Sequence, residues 1–179
     1  MTAVEELRAG LGLPPVSQIG VVVRDVRATV QFLSGVLGWG PFTTYEFNPE
    51  KHWFMGEPCP LKLGMGKTML GDLELELMQP LEGMGLHREF LETHGEGLQH
   101  LGFLVDEYDE MFDRFTKAGF QPLESAETYL ETYGGYLRAA YFNTHKIGGI
   151  VCEIFWKSWL LDSSGAGFPA GRTEYVADE

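Results

Sequence analysis

The sequence contains little cysteine and little positive charge. Its two cysteines, Cys59 and Cys152, are too few for the disulfide framework of a small secreted domain. Acidic residues outnumber basic residues by 26 to 13, which gives a formal net charge of -13. Nucleic acid and anionic membrane surfaces are therefore disfavoured as partners.

The sequence also lacks a long apolar segment. No run of residues is long and apolar enough to span a bilayer. The N-terminal stretch from Met1 to Leu13 contains Glu5, Glu6 and Arg8 and lacks the long apolar run of a secretion signal. We therefore expect a cytoplasmic protein. The length of 179 residues and the hydrophobic content of 44% suit one packed domain.

One pattern occurs twice along the chain. The strand-like segment "SQIGVVV" is followed by an amphipathic segment that ends at Gly38, and "QHLGFLV" is followed by one that ends at Gly119. Each copy closes with an apolar strand that contains a glutamate, Glu76 in the first and Glu153 in the second. Each copy therefore predicts the order β-α-β-β-β.

These repeats predict an α+β fold of two tandem βαβββ modules, residues 17–79 and 99–156. We expect helices at 25–37 and 107–118 on the outside, and two four-stranded antiparallel sheets that enclose a cavity. A short helix at 1–14 precedes the modules, so that the domain covers 1–156, and 157–179 form a tail.

The repeat brings four potential metal ligands to equivalent positions. Gln18 of the first copy corresponds to His100 of the second, and Glu76 corresponds to Glu153. Alternation along the closing strands predicts that both glutamates point between the sheets, where an unpaired carboxylate is costly. One divalent ion would remove that cost. The donors suit Zn, Ni, Co, Mn or Mg, whereas a non-haem iron oxygenase site needs two histidines.

At these positions the chain resembles the vicinal oxygen chelate superfamily, which includes glyoxalase I, methylmalonyl-CoA epimerase, extradiol dioxygenases and bleomycin-binding proteins. The resemblance runs from Ser17 to Trp156 and rests on "QIGVVVRDVRATVQFLSGVLGW", "LELELMQP", "GLQHLGFLVDEYDEMFDRFTKAGF" and "IGGIVCEIF". It implies metal ligation by Gln18, Glu76, His100 and Glu153. It also implies a homodimer.

The resemblance further implies a metal-dependent isomerase, epimerase or lyase that acts through an enediolate on a small carbonyl compound or acyl thioester. Methylmalonyl-CoA epimerase is the leading type. Glu153 matches the family's base, and Glu76, related to it by the pseudo-twofold axis, is expected to act on the opposite face. The alternatives are a non-catalytic small-molecule binding or resistance protein and, disfavoured by Gln18, an extradiol dioxygenase.

Other polar residues are weaker candidates for binding the substrate. Arg138 is one of few cations near the expected site, and His145 lies in the final hairpin turn. Trp53 belongs to a predicted loop that also contains His52. A short helix predicted from Leu86 to His94 places His87 and His94 on a polar, solvent-exposed surface.

Overall fold

The fold is a single mixed sheet with helices on its faces. The computed structural model describes residues 10–160 except Thr132 and Ile147. The expected N-terminal helix and tail therefore lie largely outside the described residues. The strands are β1 (Gln18–Val22), β2 (Thr43–Phe47), β3 (Lys51–Phe54), β4 (Glu57–Pro58), β5 (Leu61–Leu70), β6 (Leu73–Gly83), β7 (Gly97–Leu104), β8 (Pro122–Leu130), β9 (Gly135–Phe142) and β10 (Val151–Lys157). The α-helices are α1 (Val26–Leu37), α2 (Leu86–His94) and α3 (Tyr108–Lys117).

Strand order follows the internal repeat. The ten strands are arranged β2-β5-β6-β1-β7-β10-β9-β8-β3-β4, so β2-β5-β6-β1 mirrors β8-β9-β10-β7 about the central pair. β1 and β7 pair in the antiparallel direction, with Gln18 opposite Gly102 and Gly20 opposite His100. The expected α+β architecture of two βαβββ modules is confirmed, and the two sheets are one continuous sheet.

The sheets are mixed, although they were expected to be antiparallel. β1 pairs with β6 in parallel, and β7 pairs with β10 in parallel. The cause is the helix, which returns the chain so that the next strand runs in the same direction as the first. Two successive antiparallel pairings in each module then give the closing strand that direction again.

The predicted loop around Trp53 is a hairpin. β3 pairs with β4 and, through residues such as His52 opposite Ala126, with β8 of the other module. This pairing covers the edge of β8 and satisfies backbone groups that a loop would leave to water.

Helix α1 begins and ends where the sequence predicts. The carboxylate of Asp25 accepts a hydrogen bond from the backbone N–H of Ala28 at 3.0 Å, and Gly38 ends the helix with φ 68. Met65 and Lys67 line the cavity, whereas a Cβ atom on Gly66 between them would contact α1. Helix and cavity therefore lie on opposite faces of β5.

The second module repeats this arrangement. The buried face of α3 consists of Tyr108, Met111 and Phe115, and the Phe115 ring stacks on Phe142 with centroids 4.2 Å apart. Within the described part of the chain, no helix is long and apolar enough to cross a membrane.

Candidate metal centre

A cavity lies on the inner face of the curved sheet. Its apolar wall is formed by strands of both modules. Its polar lining is Gln18, Tyr45, Lys67, Glu76, His87, Glu124, Tyr141, Glu153 and Lys157. Three of the four predicted ligands belong to this lining, and the fourth, His100, contacts two of them.

His100, Glu76 and Glu153 come together beneath this cavity. His100 Nε2 lies 3.1 Å from Glu153 Oε2 and 3.8 Å from Glu76 Oε2. Each residue offers one ligand atom, and these atoms all lie within 4.8 Å of one another. All three side chains are buried. The strand register explains the meeting, because β6 and β10 flank the central pair that contains His100.

Gln18 reaches the same place from the neighbouring strand. A Cβ atom on Gly102 would lie 2.7 Å from Gln18 Oε1 and 3.0 Å from Glu153 Oε2, so both oxygens occupy the space that this glycine leaves. The Gln18 amide nitrogen donates to Glu74 Oε1 at 2.6 Å. Its Oε1 atom therefore faces the other donors. We call Gln18, Glu76, His100 and Glu153 the donor quartet.

Three atoms of the donor quartet have no hydrogen-bond partner among the residues that the structure describes. They are Gln18 Oε1, His100 Nε2 and Glu153 Oε2, and all are fully buried. His100 Nδ1 lies 2.6 Å from the side-chain oxygen of Gln99, an acceptor, so Nδ1 donates and Nε2 presents its lone pair. In a neutral ring, this lone pair and the carboxylate oxygen of Glu153 3.1 Å away repel unless a proton or a metal ion lies between them. The residues present therefore fit a divalent cation.

Two lysines balance part of the negative charge next to the donor quartet. Lys67 Nζ lies 2.6 Å from Glu76 Oε1 and 3.4 Å from Glu74 Oε1, and Lys157 Nζ lies 3.7 Å from the same Glu74 atom. Burial alone would raise the pKa of Glu74, but the two ammonium groups lower it below its usual value. Burial, together with the charge of Lys67, lowers the pKa of Lys157.

A second polar group on the cavity wall was not predicted. His52 Nε2 and His87 Nδ1 lie 3.4 and 3.3 Å from Glu124 Oε1, and all three side chains are buried. We call these residues the histidine cluster. His87 was expected to be exposed, and this is wrong: it is 1% exposed. His94 is exposed, as expected. The sequence signal that could have found this group is Glu124, a carboxylate at a position that shares one face of β8 with the buried Ala126 and Thr128.

Two charges and the burial of the cluster set its ionisation. Burial alone would raise the pKa of Glu124, but His87, the hydrogen bond from His52 and the N–H of Leu86 lower it to about 2. Burial alone would lower the pKa of His87, but the Glu124 carboxylate raises it above its usual value. Both shifts favour the charged forms, a Glu124 carboxylate beside a protonated His87.

The structure does not bring the three predicted substrate-binding residues to the cavity. Arg138 lies between the cavity-lining residues of β9, on the opposite face, where it pairs with Asp109 at 2.8 Å and Glu127 at 3.2 Å. His145 is exposed in a 3-10 turn. Trp53 follows the inward-facing His52 and is half-buried on the other face of β3.

The sequence matches one family model. Residues 17–136 match the model of the glyoxalase/bleomycin resistance protein/dioxygenase superfamily. A comparison with curated protein sequences gave no match.

Several solved structures share the fold. A variant of methylmalonyl-CoA epimerase from Streptomyces coelicolor, in complex with 2-nitronate-propionyl-CoA, has a TM-score of 0.60 and 22% identity over 82% of this chain and 99% of that chain. Methylmalonyl-CoA epimerase from Mycobacterium tuberculosis has a TM-score of 0.53 and 17% identity over 80% of this chain and 88% of that chain. A mutant of 4-hydroxymandelate synthase from Streptomyces coelicolor has a TM-score of 0.56 and 16% identity over 82% of this chain and 48% of that chain. Identities this low establish the fold alone.

Proposed function

Since the chain belongs to the glyoxalase/bleomycin resistance protein/dioxygenase superfamily, also called the vicinal oxygen chelate superfamily, we propose that it is a metal-dependent enzyme. It removes a proton beside the carbonyl group of a small molecule and acts as an isomerase, epimerase or lyase through an enediolate. The observation that supports this most is the set of three buried, unpartnered atoms, Gln18 Oε1, His100 Nε2 and Glu153 Oε2. The donor quartet would hold one ion, which supplies Lewis-acid polarisation of the carbonyl group when bound.

Glu153 is the proposed base. Its Oε2 atom has no hydrogen-bond partner among the described residues, and Glu153 lines the cavity, so a carboxylate that swings off the ion could accept a proton from a bound molecule. Burial, together with the charge and hydrogen bonding of Glu153, raises the pKa of Tyr141 well above its usual value. Tyr141 therefore stays protonated and helps to hold the carboxylate in position.

Glu76 is the second carboxylate of the proposed mechanism. One of its oxygens contacts Lys67 at 2.6 Å, which leaves the other oxygen to face the donor quartet. We propose it as a ligand in every case. In an epimerase it also faces the substrate carbon from the side opposite to Glu153.

The leading substrate classes are small carbonyl compounds and acyl thioesters. The fold neighbours include methylmalonyl-CoA epimerase with a bound acyl-CoA analogue, which supports the thioester class. The apolar wall, which includes Phe47, Leu63 and Met65, favours an acyl group and excludes water from the reacting carbon. A dioxygenase is less favoured, because the donor quartet contains one histidine. A homodimer and a cytoplasmic location stay predictions.

Two measurements test this function. Protein purified without chelator or nickel resin should contain about one divalent ion per chain, and His100→Ala should lose it while His94→Ala keeps it. Wild type should then exchange the α-proton of methylmalonyl-CoA or of an α-keto hemithioacetal in heavy water, as detected by NMR. Tight binding of these compounds without exchange would indicate a non-catalytic binding protein instead.

A further inference from the structure

The histidine cluster faces the same cavity as the donor quartet but belongs to other elements. His87 and Glu124 line the cavity together with Glu76 and Glu153. The centroid of the His87 ring lies 6.2 Å from that of His100 and 5.2 Å from that of Tyr141. A small molecule beside the donor quartet is therefore within reach of His87.

Glu124 is fixed from several sides. Its Oε2 atom accepts a hydrogen bond from the backbone N–H of Leu86 at the start of α2, where a carboxylate is favoured by the helix dipole. A Cβ atom on Gly85 would lie 2.7 Å from this oxygen, so the glycine makes the approach possible. His52 contacts the other oxygen and is itself held by the backbone oxygen of Cys59 at 2.9 Å.

The two ring nitrogens of His87 have different surroundings. Nδ1 lies 3.3 Å from Glu124 Oε1, an ion-pair contact without hydrogen-bond geometry, whereas Nε2 is fully buried and has neither a hydrogen-bond nor an ion-pair partner in the described part of the protein. A buried ring nitrogen without a partner is costly, and a ligand oxygen would remove that cost.

We propose that His87 is a substrate-binding residue, whose Nε2 atom forms a hydrogen bond with a carboxylate or carbonyl oxygen of the molecule in the cavity. Glu124 and His52 are positioning residues that fix the His87 ring. This inference rests on the proposed function, because it requires the cavity to be the substrate site. It adds a substrate contact outside the donor quartet.

Amide substitutions separate this role from a purely structural one. In His87→Gln the amide nitrogen takes the position of Nε2, and in His87→Asn it takes the position of Nδ1. A ligand contact is therefore preserved by glutamine, whereas a structural contact with Glu124 is preserved by asparagine. His94→Gln and His94→Asn on the exposed face of α2 are the matched controls.

The experiment is calorimetric titration of zinc-loaded protein with oxalate, a small chelating acid. His87→Phe and His87→Asn should bind oxalate about tenfold or more weakly than wild type, the usual effect of losing a hydrogen bond to a charged group. His87→Gln should stay near wild type. Unchanged binding by His87→Phe, or better rescue by asparagine than by glutamine, would overturn the proposal.

A measurement on wild type covers variants that do not fold. In protein labelled with ¹⁵N-histidine, oxalate should shift the Nε2 signal of His87 and leave that of His94 in place. No shift at His87 would overturn the proposal. If the protein holds no zinc, the proposed function is contradicted separately, and the same titrations of metal-free protein decide the role of His87.

Discussion

Gly20 and His100 face each other across the central strand pair, and the His100 ring occupies the space that a side chain at position 20 would fill. The equivalent pair, Gly102 and Gln18, has the same relationship with the donors exchanged between strands. In the central strand pair, each module thus supplies one donor and one glycine, and each glycine makes room for the donor on the facing strand.

Gly20→Ala tests this relationship. The added methyl group would overlap the His100 ring and displace it, so zinc content should fall well below one ion per chain. The free energy of unfolding of the metal-free protein should fall by about 1–3 kcal/mol, as for other overpacked sites. Gly35→Ala is the control, because a Cβ atom there meets nothing within 4 Å. Zinc binding and urea stability of Gly20→Ala equal to those of Gly35→Ala would contradict the role of Gly20.

Local signals determined much of the fold. Asp25 and Gly38 predict the ends of α1 because capping and left-handed termination depend on nearby residues. The pairing of β3 with β8 was missed because the partner of Lys51 is Glu127, which is 76 positions away along the chain. Pairing at that distance leaves no local pattern to detect.

The donor quartet was predictable because the repeat relates Gln18 to His100 and Glu76 to Glu153. Arg138 was misplaced although alternation contains the answer: it is three residues from the cavity-lining Tyr141 and so lies on the other face of β9. The histidine cluster has no repeat and combines three separate elements, so only the tertiary structure brings it together.

Glu153→Gln should abolish α-proton exchange while binding of the substrate persists. An amide can still contact the bound molecule but cannot accept its proton, so kcat for exchange should fall by about 100-fold or more. Glu76→Gln should lose epimerase turnover and keep exchange on one face. NMR in heavy water with methylmalonyl-CoA distinguishes these outcomes. Exchange by Glu153→Gln at the wild-type rate would exclude Glu153 as the base.

The stability difference between wild type and Glu124→Gln should depend on pH in two directions. The pKa of Glu124 is lowered from 4.5 to about 2, so its stabilisation is present above pH 4.5 and is lost as the pH falls toward 2. The pKa of His87 is raised above 6.5, so its contribution is present below pH 6.5 and is lost as the pH rises through the folded value.

The difference should therefore be largest between pH 4.5 and 6.5. Its size there should be roughly 3 kcal/mol, from a pKa change of this size and the cost of breaking a buried pair. Urea unfolding at about pH 3, 5.5 and 9 measures it. Glu92→Gln, at an exposed position of α2, is the control. A difference that stays constant over this range would show that Glu124 acts as a cap for α2 without the ion pair.

Lys67→Met should destabilise the metal-free protein and strengthen zinc binding. Lys67 contacts both Glu74 and Glu76, and burial, which alone lowers its pKa, is outweighed by these two carboxylates, which raise it well above its usual value. Removing the ammonium group leaves two buried carboxylates less compensated, which should cost about 3–5 kcal/mol in chelator. The same ammonium group competes with a metal ion for Glu76, so zinc should bind more tightly to the variant. By linkage, zinc must reduce the stability cost of Lys67→Met by the same free energy that the substitution adds to zinc binding.

Lys62→Met is the control, because Lys62 lies on the same strand but pairs with Glu46 at 2.9 Å near the surface. It should change neither zinc affinity nor stability appreciably. Zinc titration measures the affinity, and urea unfolding with and without zinc measures the stability. If Lys67→Met bound zinc no more tightly than Lys62→Met, Glu76 would not be a ligand of the ion.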